Sequence, residues 1–447
     1  MGKFFGTDGV RGRANENLTL DMAFGIGRYL GYYYSKGQHA KILIGKDTRQ
    51  SSSMFEMALA AGATSTGANV YLLGVCPTPS VSFLIQKEGF DCGIMVSASH
   101  NPYYDNGIKL FNGKGEKMEA FIEEAIEELF FIDGCKGELP YAKDDAIGKL
   151  IAYEDGLQLY ISWLKETAHV NLNGLKIAVD LANGSATTTA VETLSECGAV
   201  VDAIYSEPNG ININRNCGST HPADLQRMVK EGQFDCGFAF DGDADRLIAV
   251  DHEGNLINGD YILYIIGRYL KDHGALKDDV IVTTVMANLG LHRALDRLGI
   301  DTCQTAVGDK YVYECMQANG YTIGGEQSGH IIFNEYLNTG DGLLTALELC
   351  KVMKETGLSL KELGKDLFIY PQVLKNLEVK DKQVVLDDPQ VNALIAEVEK
   401  ELGDEGRILV RPSGTEPLLR VMVEAKTVEL CEEYVSRVLN FVKSKGL

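Results

Sequence analysis

The tetrapeptide FDCG stands at Phe90 and again at Phe234, each time opening an apolar run that ends in a polar loop. The repeat extends well beyond four residues. In the first copy KILIG (41–45) opens into KDTRQSS, and DCGIMVS (91–97) ends in ASHNP. In the second, LKIAVD (175–180) passes through NGSA to FDCGFAFDGDADR (234–246). A third, weaker copy runs from DVIVTTVMAN at Asp279 through GIDTCQTAVGDKYV to NGYTIGGEQSGH, ending at His330. Each copy keeps one order: strand, polar loop, helix, Gly-marked turn, second strand and helix, then a third strand ending in reactive residue types. Strands alternating with helical stretches imply βαβ units, so the expected fold class is α/β, with three repeated doubly wound domains.

The tail departs from this order. Asp388-Pro389 reads as an N-cap followed by proline at the first helical position, and Val391, Leu394, Ile395, Val398 and Leu402 recur at helical spacing until Gly403. ILV at Ile408, the loop RPSGTEP (411–417) and LLRVMVEA (418–425) suggest two strands joined by a polar turn. A final helix carries Leu430, Val435, Val438, Leu439 and Val442, completing a smaller α+β domain. The expected division is 1–150, 151–253, 254–366 and 367–447, four domains where a length of 447 residues alone suggests about three.

With 42 Lys and Arg against 63 Asp and Glu, the chain carries a formal net charge of −21. That balance would draw in no polyanion, which argues against nucleic acid or an anionic membrane as partner; an anionic small molecule would need basic groups supplied locally. A hydrophobic share of 45% and a charged share of 23% exclude a disordered or fibrous chain. None of the ten cysteines forms a CxxC pair, so they read as scattered buried thiols of a reducing compartment, in place of a disulfide frame or zinc site. Residues 1–13 lack a signal-peptide apolar region, and Gly6 stands where a myristoylation signal needs Ser or Thr. Pro77 and Pro79 interrupt the apolar stretch 70–85 well short of a membrane span. A cytoplasmic protein is expected.

DGDADR places Asp241, Asp243 and Asp245 at alternate positions directly after an apolar strand. With only Gly242 and Ala244 between them, their oxygens can converge on one hard cation such as Mg²⁺. An EF-hand also begins DxDxD, but it needs Gly and Glu where this chain has Arg246 and His252. The alternative, a solvated acidic turn, would leave three carboxylates repelling one another at the end of a buried strand unless a cation or Arg246 compensates. The equivalent strand of the first copy ends in SASHNPYYDNGIKLF, which puts Ser97 and Ser99 where α/β sheets present functional groups. The repeat aligns this loop with the aspartate loop, so a serine is expected to face the metal. Carrying phosphate beside Mg²⁺, that serine would be a phosphoryl donor; otherwise the loop is an ordinary turn in which Ser97 caps and His100 packs.

In RPSGTEP, Arg411 with Arg420 nearby offers bidentate forks, and Ser413, Gly414 and Thr415 supply convergent donors, a set suited to a phosphate that is held and not transferred. GEQSGH combines Glu326, Ser328 and His330 between glycines, residue types suited to sugar hydroxyls and proton transfer. Lys46 and Arg49 in GKDTRQS and Lys109 in NGIKLF are each either site cations or ordinary solvated or paired ones.

SASHNP, DGDADR, GEQSGH and RPSGTEP, in this order and spacing, resemble the phosphoserine, metal, sugar-binding and phosphate-binding loops of the α-D-phosphohexomutase family over essentially the whole chain. FGTDGVRG (5–12) and the Gln of GEQSGH are similar to the amino-sugar branch of that family, whereas Ala244 stands where the metal loop often carries Gly. The resemblance implies four domains around a central cleft, each contributing one loop. It implies isomerisation between glucosamine 6-phosphate and glucosamine 1-phosphate, in which phosphoserine Ser99 gives its phosphoryl group to the sugar and a sugar bisphosphate returns the other. Asp241, Asp243, Asp245 and an oxygen of the Ser99 phosphate would hold Mg²⁺, and Arg246 would support that phosphate. Arg11, Lys109, His330 and His100 would be the candidates for proton transfer. Glu326 and Ser328 would meet sugar hydroxyls with Thr305 and Gly308 nearby, while Arg411, Ser413, Gly414, Thr415 and Arg420 would hold the distal phosphate. The implied partner is a small-molecule sugar phosphate, with neither nucleic acid nor membrane, and a homodimer is compatible with the pattern. Three other readings share parts of it: a phosphomannomutase or phosphoglucomutase, a metal-dependent phosphatase releasing inorganic phosphate, and a silent sugar-phosphate sensor.

Overall fold

The computed structural model describes residues 4–6, 8–131, 139–412 and 418–446. Four sheets follow one another along the chain, three in α/β surroundings and a smaller one at the end, as the repeat predicts. The chain forms two compact units, Met1–Met286 with Ile300–Lys365, and Ala287–Gly299 with Asp366–Leu447.

The first unit holds three of the sheets. In the first, the seven strands lie in the order Phe5–Gly6, Gly9–Arg13, Asp105–Asn112, Cys92–Val96, Lys41–Lys46, Asn69–Val75, Leu150–Ala152. The last four are mutually parallel, and the first three are joined antiparallel. Ile42, Leu43 and Ile44 are all fully buried, the continuous apolar run of a central strand covered on both faces. The helices Leu20–Tyr34 and Ser52–Ser65 pack on this sheet and meet through glycine. A Cβ on Gly27 would stand 2.1 Å from the Leu59 carbonyl oxygen, so one methyl there would force the helices apart.

The second sheet (Leu256–Ile257, Leu247–Asp251, Cys236–Phe240, Lys176–Asp180, Val200–Ile204) and the third (Asp301–Thr305, Val280–Thr284, Ile323–Gly325, Ile331–Phe333) repeat the plan. In each, a parallel trio is followed by an antiparallel return strand. The three motif loops, 97–104, 241–246 and 326–330, therefore occupy one equivalent position, between the third parallel strand and its return partner. The FDCG repeat fixes that position. Asp91 Oδ2 accepts from the Lys41 amide and Asp235 Oδ2 from the Lys176 amide, both at 2.7 Å. The two aspartate amides donate back to the same residues' carbonyls, both at 2.9 Å. Lys41 Nζ and Lys176 Nζ lie over the rings of Phe90 and Phe234. Cys92 and Cys236 then open their strands in register with Ile42 and Ile177, which sets where each loop emerges.

The apolar stretch 70–85 divides between the strand Asn69–Val75 and the helix Thr78–Glu88, and no described helix is long and apolar enough to cross a membrane. Cys76, Cys92, Cys217, Cys236, Cys350 and Cys431 are buried free thiols, whereas Cys303 and Cys315 are partly exposed with their Sγ atoms 2.9 Å apart.

In the second unit the strand Leu418–Glu424 is central, flanked antiparallel by Gln372–Glu378 and Arg407–Pro412. The sequence predicts only two of these three strands. Gln372–Glu378 has no fully buried side chain, so its apolar signal is weak. Asp388 caps the helix Pro389–Leu402, accepting from the Gln390 and Val391 amides at 2.8 and 3.0 Å, as the spacing predicts. Val435, Val438, Leu439 and Val442 of the helix Val428–Ser444 enter the core, but Leu430 is exposed and Cys431 takes the buried position beside it. The helix Leu289–Arg297 belongs to this unit: the buried Glu424 carboxylate accepts from Asn288 Nδ2, the Leu289 amide and Arg407.

Candidate active site

Every residue of Cys92–Val96 is buried, and the chain leaves this strand through Ser97, whose Oγ accepts from the Ser99 amide at 2.9 Å. The turn holds Ser99 at φ +52°, in the left-handed region that side chains rarely adopt. Ser99 Oγ donates to Asp241 Oδ2 at 2.5 Å and lies 3.3 Å from His100 Nδ1. Asp241, Asp243 and Asp245 follow the end of Cys236–Phe240, all buried, with a carboxylate oxygen of each within 4.8 Å of the others. Ala244 sits at φ +57°, so its methyl is accommodated at a left-handed cost of roughly 1 kcal/mol that glycine would avoid.

Buried carboxylates need cations, and the chain supplies one from the return strand of the first sheet. Lys109 Nζ lies 2.7 Å from Asp243 Oδ2, 3.1 Å from Asp245 Oδ2 and 3.1 Å from Asp8 Oδ2. Burial works against its charge, but the three carboxylates outweigh burial and hold the ammonium well above its usual pKa. Asp8 also takes Arg11 Nη2 at 2.5 Å and Lys117 Nζ at 3.1 Å. Burial likewise opposes ionisation of Asp245, but Lys109 and His330 prevail and hold its carboxyl well below the usual range. Asp241 goes the other way, since burial and then the charges of Asp245 and Asp243 push its carboxyl well up.

The two histidines diverge. His100 is pushed down to about 4 by burial and by Arg246 and Arg11, so it is neutral near pH 7, and its Nδ1 accepts from Arg246 Nη1 at 3.2 Å. His330 is buried with Nδ1 3.8 Å from Asp245 Oδ2 and Nε2 3.7 Å from Asp309 Oδ2. Those carboxylates outweigh burial and raise its pKa. The Gly340 amide donates to His330 Nε2 at 2.9 Å and fixes the ring.

Asp243 Oδ1 and Asp245 Oδ1 are buried with no hydrogen-bond partner among the described residues. Two orphaned carboxylate oxygens beside Asp241 form an all-oxygen donor set, which could bind a hard divalent cation. Thr78 and Lys109 together take Oδ2 of Asp243 and leave Oδ1: Thr78 Oγ1 donates to Oδ2 at 2.5 Å while its amide donates to the Asp243 carbonyl at 2.9 Å.

Four profiles of phosphoglucomutase/phosphomannomutase domains match in chain order: α/β/α domain I over residues 2–133, domain II over 158–254, domain III over 258–369 and the C-terminal domain over 374–441. The phosphoglucosamine mutase of Lachnospira eligens is 54% identical over 449 residues, spanning 100% of this chain and 99% of its own. The chain belongs to the α-D-phosphohexomutase family. Solved structures share the fold of this phosphohexomutase. A phosphoglucomutase/phosphomannomutase family protein from Burkholderia thailandensis superposes with a TM-score of 0.80 at 23% identity, covering 100% of this chain and 99% of the other. The N-acetylphosphoglucosamine mutase of Aspergillus fumigatus, in complex with GlcNAc-6P and magnesium, gives 0.72 at 18% identity, covering 99% and 96%.

The phosphohexomutase thus gathers Ser99, Lys109, His330 and the three aspartates, all buried, with half-buried His100, Arg11 and Arg246 into one charge cluster. Glu326 joins it through Arg246, whose pKa burial would lower but Asp245, Asp241 and Glu326 raise; its Oε1 accepts from the Gly308 amide at 3.1 Å. Thr305 Oγ1 turns to the Thr283 and Ala306 carbonyls, and Ser328 is exposed, so neither side chain bonds to the cluster. In the second unit Arg411 and Arg420 stand directly opposite on paired strands, and burial followed by the charge of Arg420 lowers the Arg411 pKa. Ser413, Gly414 and Thr415 lie outside the described residues. Lys46 is a paired cation, donating to Glu56 at 2.5 Å.

The sequence reading missed Asp8, Thr78, Lys117 and Asp309. Asp8 had a signal, an acid three residues before Arg11 in a glycine-rich segment, and the two side chains do pair. Lys117 bridges Asp8 and Asp309, which lie far apart in the chain, and carries no local mark of that role. A cavity of about 1080 Å³ lined by Lys230, His252, Lys354 and Lys361 contains none of the clustered residues.

Proposed function

We propose that this phosphohexomutase interconverts glucosamine 6-phosphate and glucosamine 1-phosphate, with Ser99 carrying the transferable phosphoryl group and a sugar bisphosphate as intermediate. The observation that carries the reading is the Ser99 hydroxyl, buried and held in a left-handed turn 2.5 Å from Asp241. In the first half-reaction the P–Oγ bond of phosphoserine breaks as a sugar hydroxyl oxygen bonds to phosphorus; the hydroxyl proton passes to a group of the cluster and a proton restores the Ser99 hydroxyl. The second half-reaction reverses these events at the other phosphate, restoring phosphoserine.

A group that takes and returns the hydroxyl proton must change protonation within the cluster. His330, fixed by Gly340 and flanked by Asp245 and Asp309, suits this role, while Lys109 and Arg11, held charged by carboxylates, act by charge. Asp241, Asp243 and Asp245 would hold Mg²⁺, which when bound supplies positive charge to the transferring phosphoryl group. Arg246 supports the phosphate on Ser99, and neutral His100 holds Arg246 in place. Burial of the cluster keeps water from phosphoserine, so transfer to sugar outruns hydrolysis. Arg411 and Arg420, which offer planar two-pronged guanidinium forks from directly opposite positions on paired strands, bind the phosphate that is not transferred.

Purified protein given Mg²⁺, a hexose 1,6-bisphosphate and glucosamine 6-phosphate should yield glucosamine 1-phosphate. Release of inorganic phosphate in its place would make the protein a phosphatase and refute the proposal. Arg411→Ala should raise KM at least severalfold; unchanged kinetics would remove Arg411 from phosphate binding.

A further inference from the structure

Arg49 follows the strand Lys41–Lys46 of the first sheet, in the KDTRQSS segment, and its side chain is fully buried. Asp47 seats it: Asp47 Oδ1 accepts from the Arg49 amide at 2.9 Å and from Ser52 Oγ at 2.7 Å, while Oδ2 lies 3.4 Å from Arg49 Nη1. The guanidinium then turns to two backbone carbonyls. Arg49 Nη2 donates to the Ser99 carbonyl at 3.0 Å and to the Asn101 carbonyl at 2.8 Å. A second side chain, from the loop after the second sheet's strand Val200–Ile204, reaches the same two oxygens. Asn214 Nδ2 donates to the Ser99 carbonyl at 2.8 Å and to the Asn101 carbonyl at 3.1 Å. The metal loop closes the third side, because a Cβ on Gly242 would stand 2.5 Å from the Ser99 carbonyl oxygen and 2.9 Å from Asn214 Nδ2.

The doubly held carbonyl belongs to the peptide that follows Ser99, the residue at φ +52°. A left-handed serine in a polar loop would relax by rotating about its N–Cα bond, and that rotation would carry both the carbonyl that follows and Oγ away from their present partners. A buried carbonyl with two donors resists rotation, because turning would strand both donors without partners. We infer that Arg49 and Asn214 are positioning residues that clamp the Ser99 and Asn101 carbonyls and so keep Ser99 Oγ aimed at the aspartate loop through both half-reactions. Neither side chain bonds to Ser99 Oγ or to a carboxylate of the aspartate loop, so the role is geometric. The inference rests on Ser99 being the phosphoryl carrier.

Asn214 lies at φ +56°, where glycine is unstrained and aspartate is tolerated, so its amide can be tested without disturbing the backbone. Asn214→Gly removes both hydrogen bonds, and Asn214→Asp replaces the donor with an acceptor facing two carbonyls. Phosphoserine formation would be followed by phosphorus NMR after addition of a hexose 1,6-bisphosphate, alongside steady-state kinetics with glucosamine 6-phosphate. The clamp predicts at least about a tenfold fall in kcat and in the rate of Ser99 phosphorylation for Asn214→Gly, and a larger fall for Asn214→Asp. KM should stay within about twofold, since no substrate contact is removed. Arg49→Lys, which keeps the charge and loses the fork, should lower kcat in the same way. Wild-type rates in Asn214→Gly would overturn the clamp, as would a loss confined to melting temperature. If the wild-type protein itself forms no phosphoserine, the carrier assignment fails instead, and the two failures are told apart by that control.

Discussion

Ser99 combines a left-handed backbone with a hydroxyl given to a buried carboxylate, a pairing that core packing does not require. Ser99→Ala should therefore abolish phosphoryl transfer while leaving the melting temperature within a few degrees of wild type; near-normal turnover would remove Ser99 from the chemistry. Asp341 offers a separate test of how burial sets charge near this cluster. It caps the helix Gly342–Thr356, with Oδ1 accepting from the Leu343 and Leu344 amides at 2.9 Å and Oδ2 accepting from the Tyr160 hydroxyl at 2.7 Å. Burial nonetheless pushes its carboxyl up from 3.8 to about 6. The folded state thus binds this proton more tightly than the unfolded state, so the group's contribution to stability falls as pH rises from about 4 to about 6 and is constant above. Asparagine keeps the capping oxygen without the charge. The stability of Asp341→Asn relative to wild type should grow by about 1 kcal/mol between about pH 5 and pH 7, read from melting temperatures, and a flat difference would contradict the burial argument.

The structural elements act as a repeated device: a parallel trio, a loop, and an antiparallel return strand that aims the loop's residues back over the sheet end. Two of these loops are locked together by backbone. Gly329 has φ +90°, its carbonyl accepts from the Leu247 amide at 3.0 Å, and a Cβ there would lie 2.0 Å from the Leu247 carbonyl oxygen. Gly329→Ala must push the loop carrying Glu326 and His330 off the metal-loop strand. We expect at least about a tenfold loss of kcat together with a lower melting temperature, and wild-type kinetics would show that the two loops need no fixed spacing. The parallel trios were legible in the sequence because KILIG, LKIAVD and FDCG mark strand starts chemically, and the same aspartate hydrogen bonds recur behind both FDCG copies. The return strands were harder to read, since a hairpin and a crossover begin with the same apolar residues. Gln372–Glu378 escaped because none of its side chains is fully buried. At the site, the aspartates and Ser99 announced themselves by local spacing, whereas Thr78 and Lys117 gain their roles only from residues distant in the chain, and Asp8 pairs locally with Arg11 but meets Lys109 and Lys117 from far along it.

Over the whole molecule, a net charge of −21 coexists with a substrate class that is itself anionic. The conflict is resolved by local cations: Lys109 is buried in the cluster with half-buried Arg11 and Arg246 beside it, and half-buried Arg411 stands across from Arg420 in the second unit. The same accounting predicts a metal requirement, because two aspartate oxygens stay unsatisfied after Lys109 is placed. Chelation should abolish turnover and Mg²⁺ restore it. Mg²⁺ should also raise the melting temperature of the chelated protein, and an identical melting curve with and without Mg²⁺ would refute the site. The central claim, a phosphoserine mutase acting on an amino sugar, is tested most directly by a phosphorus NMR time course with Mg²⁺ and a trace of hexose 1,6-bisphosphate, offering the 6-phosphates of glucosamine, glucose and mannose in parallel. The account predicts glucosamine 1-phosphate as the product that appears first and fastest. Accumulation of inorganic phosphate, or faster isomerisation of glucose or mannose 6-phosphate, would contradict it.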